Sequence, residues 1–121
     1  MSADQEAGII PILEAACLDP RIPRGYRQGR YLLGLFVQDG NLGWGVELFD
    51  GDLTWARGFP PEASNRLIFR NPRDFHRFAS GIPWRWLALR RRVRYRGSNR
   101  VLGVIRNAIV RANKKRPRGQ A

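Results

Sequence analysis

The chain has one cysteine, one histidine and one methionine in 121 residues. With Cys17 alone there is no intramolecular disulfide and no cysteine-based zinc site, which fits a reducing cytoplasm. With His76 alone no histidine pair exists for a metal. Asp74 stands only two residues before His76 on a predicted helix, where the two side chains do not face each other. No Ser-His-Asp arrangement or paired carboxylate can be assembled, so no catalytic residue, metal or cofactor is expected. The glycines of Gly40–Gly45 run from one predicted strand into the next, which excludes a phosphate-binding loop. No apolar run approaches the roughly 18 residues of a membrane span. Residues 1–6 are acidic where a secretory signal would be basic. The expectation is a cytoplasmic protein, peripheral at most to the inner membrane face.

Acidic residues are scarce in one half only. Residues 1–60 carry five Arg and eight acids, whereas residues 61–121 carry fifteen Arg and two Lys against Glu62 and Asp74. The net charge of +12 therefore belongs to the second half, and it asks for an anionic partner: a membrane, an acidic protein or nucleic acid. Twenty of the 22 basic residues are Arg, which suits bidentate phosphate contacts.

What the chain has in quantity is apolar pattern. Glu6–Leu18 reads as a short helix that starts late, with Pro11 in its first turn. The period then becomes two. Arg30–Gln38, Leu42–Phe49, Leu53–Phe59 and Asn65–Arg70 read as four strands in a meander, punctuated by Asp39-Gly40-Asn41 and Asp50-Gly51-Asp52. Asn71-Pro72 opens a helix that Gly81 closes. Trp84–Leu89 is a further short helix. Arg92–Arg96 alternates strictly, with Val93 and Tyr95 inward. In the last helix Val101, Leu102, Ile105, Ala108, Ile109 and Ala112 form a continuous stripe. Residues 1–113 are expected as one domain and residues 114–121 as a flexible basic tail.

The predicted fold class is α+β: a five-stranded, mostly antiparallel sheet covered on one face by helices, the C-terminal amphipathic helix closing an apolar cavity. Candidate cavity residues are Phe36, Trp44, Phe49, Phe75, Phe78, Trp84, Trp86, Leu87, Leu102, Ile105 and Ile109, an aromatic supply of the kind that lines pockets for apolar ligands. Trp84 and Trp86 lie two apart on a helix and cannot both face one core, which puts one of them at an interface or pocket mouth. Arg90, Arg91, Arg92, Arg94 and Arg96 are the candidate anionic-surface residues.

The order of elements resembles the sterol carrier protein 2 family. The resemblance is carried by the strand Asn65–Arg70, the helix Asp74-Phe75-His76-Arg77-Phe78-Ala79-Ser80-Gly81, the helix Pro83–Leu89, the strand Val93–Gly97 and the helix Ser98–Ala112. It implies a non-catalytic carrier that holds a lipid or isoprenoid between sheet and helices, or an accessory factor presenting such a substrate to a lipid-pathway enzyme. The alternative is a nucleic-acid-binding or protein-docking module using the Arg-rich half. Interleaved Trp84, Trp86 and Tyr95 favour it. The absence of zinc spacing, an RNP-like aromatic motif or a G-x-x-G loop counts against it.

Overall fold

The computed structural model describes residues 2–18 and 20–115. Its elements run α1 (Ser2–Leu18), a 3-10 turn (Arg24–Tyr26), β1 (Arg30–Val37), β2 (Leu42–Phe49), β3 (Asp52–Arg57), β4 (Asn65–Phe69), α2 (Pro72–Ala79), α3 (Trp84–Leu89), β5 (Val93–Arg96) and α4 (Asn99–Lys115). This is an α+β fold with one five-stranded sheet and helices on one face.

The period-two segments form strands for the expected reason. Leu42, Trp44, Val46 and Leu48 point inward and are buried, while their odd-numbered neighbours face out. The β2–β3 turn places Asp50 at φ 50° and Gly51 at φ 90°, the pair of positive angles that a two-residue hairpin turn of matching twist requires. Asp50 Oδ1 accepts a 2.9 Å hydrogen bond from the Gly29 N–H, which fixes the chain entering β1. Asn71 caps α2 by accepting from Asp74 N–H at 3.0 Å, with Pro72 at the first helical position.

Three expectations are corrected. The strands are not a meander: the sheet order is β3-β2-β1-β4-β5, and β4 lies parallel to β1, with Leu35 opposite Leu67. The cause is the segment after β3. Instead of turning back onto β3, it crosses the outer face of the sheet with Phe59 and Pro60 over Gly34, Gly43 and Gly45, and delivers β4 to the open edge of β1. Second, Pro11 stands inside α1 rather than in its first turn. Ile9, Ile12, Leu13 and Ala16 form one buried stripe across it, and that packing outweighs the roughly 3 kcal/mol cost of an interior proline. Third, α4 continues through Lys115, so the start of the basic run is helical; residues 116–121 lie outside those described.

The core fills the space between the inner sheet face and the helices. Leu33, Leu35 and Val37 of β1 meet Leu67 and Phe69 of β4, under Phe75 and Phe78 of α2 and the stripe of α4. α4 packs mainly against α1 and reaches the sheet along β1. It is tied along its length by polar contacts: Ser98 N–H donates to Asn65 Oδ1 at 2.8 Å, Arg106 donates to Gly81 O at 2.7 Å, and Asn113 to Ala79 O at 3.2 Å.

Candidate functional site

The residues that the sequence singles out fall on two sides of the sheet. On the inner side, Phe69 sits between Phe75 and Phe78 in edge-to-face contacts, with ring centroids 5.4 and 5.5 Å away. Trp44, Phe75, Phe78, Leu87, Leu102, Ile105 and Ile109 share this apolar interlayer and are buried. Trp84 is half-buried at its rim, edge-on to Tyr95 at 5.5 Å. Burial at that rim pushes the Tyr95 hydroxyl up to about 12. The Trp44 Nε1–H is buried and has no acceptor among the described residues.

Three candidate cavity residues point elsewhere. Phe36 has the parity of Gly34, so it lies on the outer face, edge-on to Phe59 at 5.9 Å. Phe49 shares the outward parity of Gly43 and Gly45 and is 53% exposed. Trp86 is 46% exposed on the outer side of α3, with the Arg90 guanidinium 4.3 Å from its ring centroid. The reading by residue type overlooked α1, whose Ile9, Ile12, Leu13 and Ala16 are buried against the same interlayer. Their i, i+3, i+4, i+7 spacing was the available signal. Phe69 faces inward, as the alternation of β4 implies, and joins this layer although the candidate cavity residues do not include it.

The outer side is cationic at one end. Arg66 and Arg96 are register neighbours across β4 and β5, and Arg94 stands beside Ile68. With Ala63, Ser64 and Tyr95 they line a groove of about 530 Å³. Arg66 is held in place: it donates to Pro61 O at 2.8 Å and Ala63 O at 3.0 Å, and lies over the Phe59 ring at 5.6 Å. Among the described residues, neither Arg94 nor Arg96 is paired with a carboxylate. Arg90 and Arg91 are exposed at the end of α3, with Arg92 half-buried beyond them. The five arginines thus divide between the sheet face and the α3 turn.

Asp74 and Cys17 are committed to packing. The buried Asp74 carboxylate receives a 2.9 Å hydrogen bond from Arg77. Burial pushes the Cys17 thiol up to about 11, which keeps it protonated at neutral pH. Among the described residues no three His, Cys, Asp or Glu side chains stand close enough to hold a metal. None of the described helices is long and apolar enough to cross a membrane.

No protein-family model and no curated protein matches the sequence. Solved structures do. The ubiquinone synthesis protein UbiJ-SCP2 superposes with a TM-score of 0.62 at 14% identity, over 92% of this chain and 93% of that one. Sterol carrier protein 2 like 2 from Aedes aegypti gives 0.55 at 14% identity, over 84% of this chain and 93% of that one.

This chain has the sterol carrier protein 2 fold.

The match also extends to the inverting sec-alkylsulfatase Pisa1 from Pseudomonas sp., with a TM-score of 0.57 at 18% identity over 73% of this chain. There the chain spans only 14% of the enzyme's length, so what is shared is one portion of a much longer protein. The sterol carrier protein 2 fold places Trp44, Phe75, Phe78, Ile105 and Ile109 in its interior layer and Arg94 and Arg96 outside it. Chemically, the interior is apolar and the exterior at this end is cationic.

Proposed function

We propose that this protein is a cytoplasmic, non-catalytic carrier or accessory factor. It sequesters a lipid or isoprenoid in the layer between sheet and helices and docks through its arginines on an anionic membrane or an acidic lipid-pathway enzyme. The observation that carries the reading is the full-length match to sterol carrier protein 2 structures, combined with an interlayer built almost wholly of apolar side chains. One matching structure, of the Aedes aegypti protein, is of its palmitated form. Transfer of a chain from water to such a layer contributes about 0.8 kcal/mol per methylene, so roughly fifteen methylenes, about 12 kcal/mol, leave micromolar affinity after an ordering cost of about 4 kcal/mol. The unpartnered Trp44 Nε1–H favours a ligand bearing an acceptor oxygen, since a buried donor left unpaired costs about 1–3 kcal/mol.

The test is native mass spectrometry of delipidated protein with palmitate and, separately, a polyprenyl alcohol. A one-to-one complex from which the ligand is recovered unchanged is expected with at least one. Failure with both, at concentrations well above micromolar, sinks the carrier reading. A chemically altered ligand sinks the non-catalytic part of it.

A further inference from the structure

α3 is amphipathic in an unusual sense. It turns Leu87 into the core and leaves Arg85, Trp86, Leu89 and Arg90 on its outer side, the i, i+1, i+4, i+5 set of a single helix face. Two of these are large apolar side chains, and Leu89 is 81% exposed. Arg90 stacks on Trp86, and Arg85 lies 5.9 Å from the Trp84 ring, so the cations and the indoles are arranged as one unit. Arg91 follows at φ 59°, a left-handed conformation costly for a residue with a Cβ, in the run of three consecutive arginines at the helix end. After Asp74 the sequence contains no acidic residue at all. Among the described residues, none of Arg85, Arg90, Arg91 and Arg92 is paired with a carboxylate, so the patch combines exposed apolar surface with positive charge.

We propose that the outer face of α3 and the turn after it form an interfacial anchor for an anionic bilayer. Trp86 and Leu89 enter the boundary between headgroups and acyl chains, while Arg85, Arg90, Arg91 and Arg92 stand level with the lipid phosphates. A tryptophan carries an apolar body with a polar edge, which suits that depth. An arginine stem lies along apolar matter while its guanidinium reaches the phosphates. Each arginine near such a surface raises affinity about fivefold. This anchor rests on the docking half of the proposed function and names the part of the molecule that performs it. Lipid exchange would then take place at the β5 end of the sheet, where Trp84 and Tyr95 form the rim of the interlayer.

The experiment uses the full chain with vesicles of phosphatidylcholine alone and of phosphatidylcholine mixed equally with phosphatidylglycerol. Vesicle co-sedimentation is read beside quenching of tryptophan fluorescence by acyl-brominated lipid. Binding is expected on the mixed vesicles only, with quenching that Trp86→Phe largely abolishes. Leu89→Ser is expected to weaken binding roughly tenfold, the effect of withdrawing one large apolar side chain from the interface. Both positions are exposed, so urea unfolding midpoints should stay unchanged and confirm intact folds.

Wild-type vesicle affinity in Leu89→Ser, or unchanged quenching in Trp86→Phe, overturns the anchor. So does a single-stranded RNA that displaces the protein from mixed vesicles and binds both variants as well as wild type, because the arginines then serve nucleic acid. Palmitate binding in vesicle-free buffer separates the two readings. If it persists while wild type fails to bind mixed vesicles, the anchor alone is lost. If it is absent while Trp86-dependent docking holds, the carrier reading alone is lost.

Discussion

The Phe59 ring occupies the place of a side chain at Gly34: a Cβ there would stand 2.7 Å from Phe59 Cε1. At Gly43 the added atom would instead meet Phe59 Cβ at 2.8 Å and Phe59 N at 3.0 Å. A ring edge can swing aside and backbone cannot, so the two glycines should respond differently. Gly34→Ala is expected to lower stability by about 1 kcal/mol and Gly43→Ala by about 3 kcal/mol. In urea unfolding, adding Phe59→Ala should cancel the Gly34 effect and leave most of the Gly43 effect. Equal rescue of both would mean that the segment crossing the sheet is not seated as described.

Asn65 joins three elements. Its amide donates to Leu32 O at 3.0 Å, and its oxygen accepts from the Ser98 N–H at 2.8 Å and the Tyr95 hydroxyl at 3.4 Å. Asn65→Ala leaves the half-buried Leu32 carbonyl and the exposed Ser98 amide without this partner, and about 1–2 kcal/mol of stability should go with them. Hydrogen exchange gives a local reading, with the Ser98 amide becoming much faster while the amides of β2 keep their protection. A loss below about 0.5 kcal/mol would show that water replaces the side chain there.

Arg77 provides the counter-charge to the buried Asp74 carboxylate, whose second oxygen has no hydrogen-bond partner among the described residues. The arginine side chain is 39% exposed, so part of the interaction is screened. Arg77→Met should cost about 2 kcal/mol, and the double variant with Asp74→Asn should recover at least half of it. Additive losses in that cycle would mean that the two residues act independently.

Burial pushes the Cys17 thiol up to about 11 from 9.0 and the Tyr95 hydroxyl up to about 12 from 10.0. The folded chain holds both protons more tightly than the unfolded one. Their contribution is therefore complete below pH 9 and declines as pH rises through the folded values. The urea midpoint should fall across that range, and Cys17→Ala with Tyr95→Phe should flatten the fall. At pH 8 a disulfide reagent should attack Cys17 roughly a hundredfold more slowly than in the urea-unfolded chain, in proportion to the thiolate present. A rate equal to that of the unfolded chain would place the thiol in solvent.

Alternation and capping made most element boundaries legible. The limits of β2 and α3 match the sequence reading, and so does the Asn71-Pro72 start of α2. Strand order was not legible, because a period of two says which face a side chain takes and nothing about which strand lies alongside. The pairing of β4 with β1 depends on Phe59, which the sequence presents as the end of a strand before two prolines, not as a wedge against glycines on other strands. For the candidate site the legible part was again parity. Phe36 and Phe49 have the outward parity of their strands, and grouping them with Trp44 by aromatic character overrode that signal. Pro11 was misleading because helix-breaking is a local cost, while the α1 stripe gains its stability from contacts distant in sequence.

The parallel pairing at the centre of the sheet also sets the order in which the chain condenses. β1, β2 and β3 close over short turns, but β4 must find β1 across both hairpins, a contact with a far larger closure entropy. Φ-values high at Val46 and near zero at Val93 would express that sequence of events. Until the three-stranded ribbon stands, β4, β5 and α4 have no template. That order predicts that the three-stranded ribbon of the acidic half forms before the arginines of the second half are brought together.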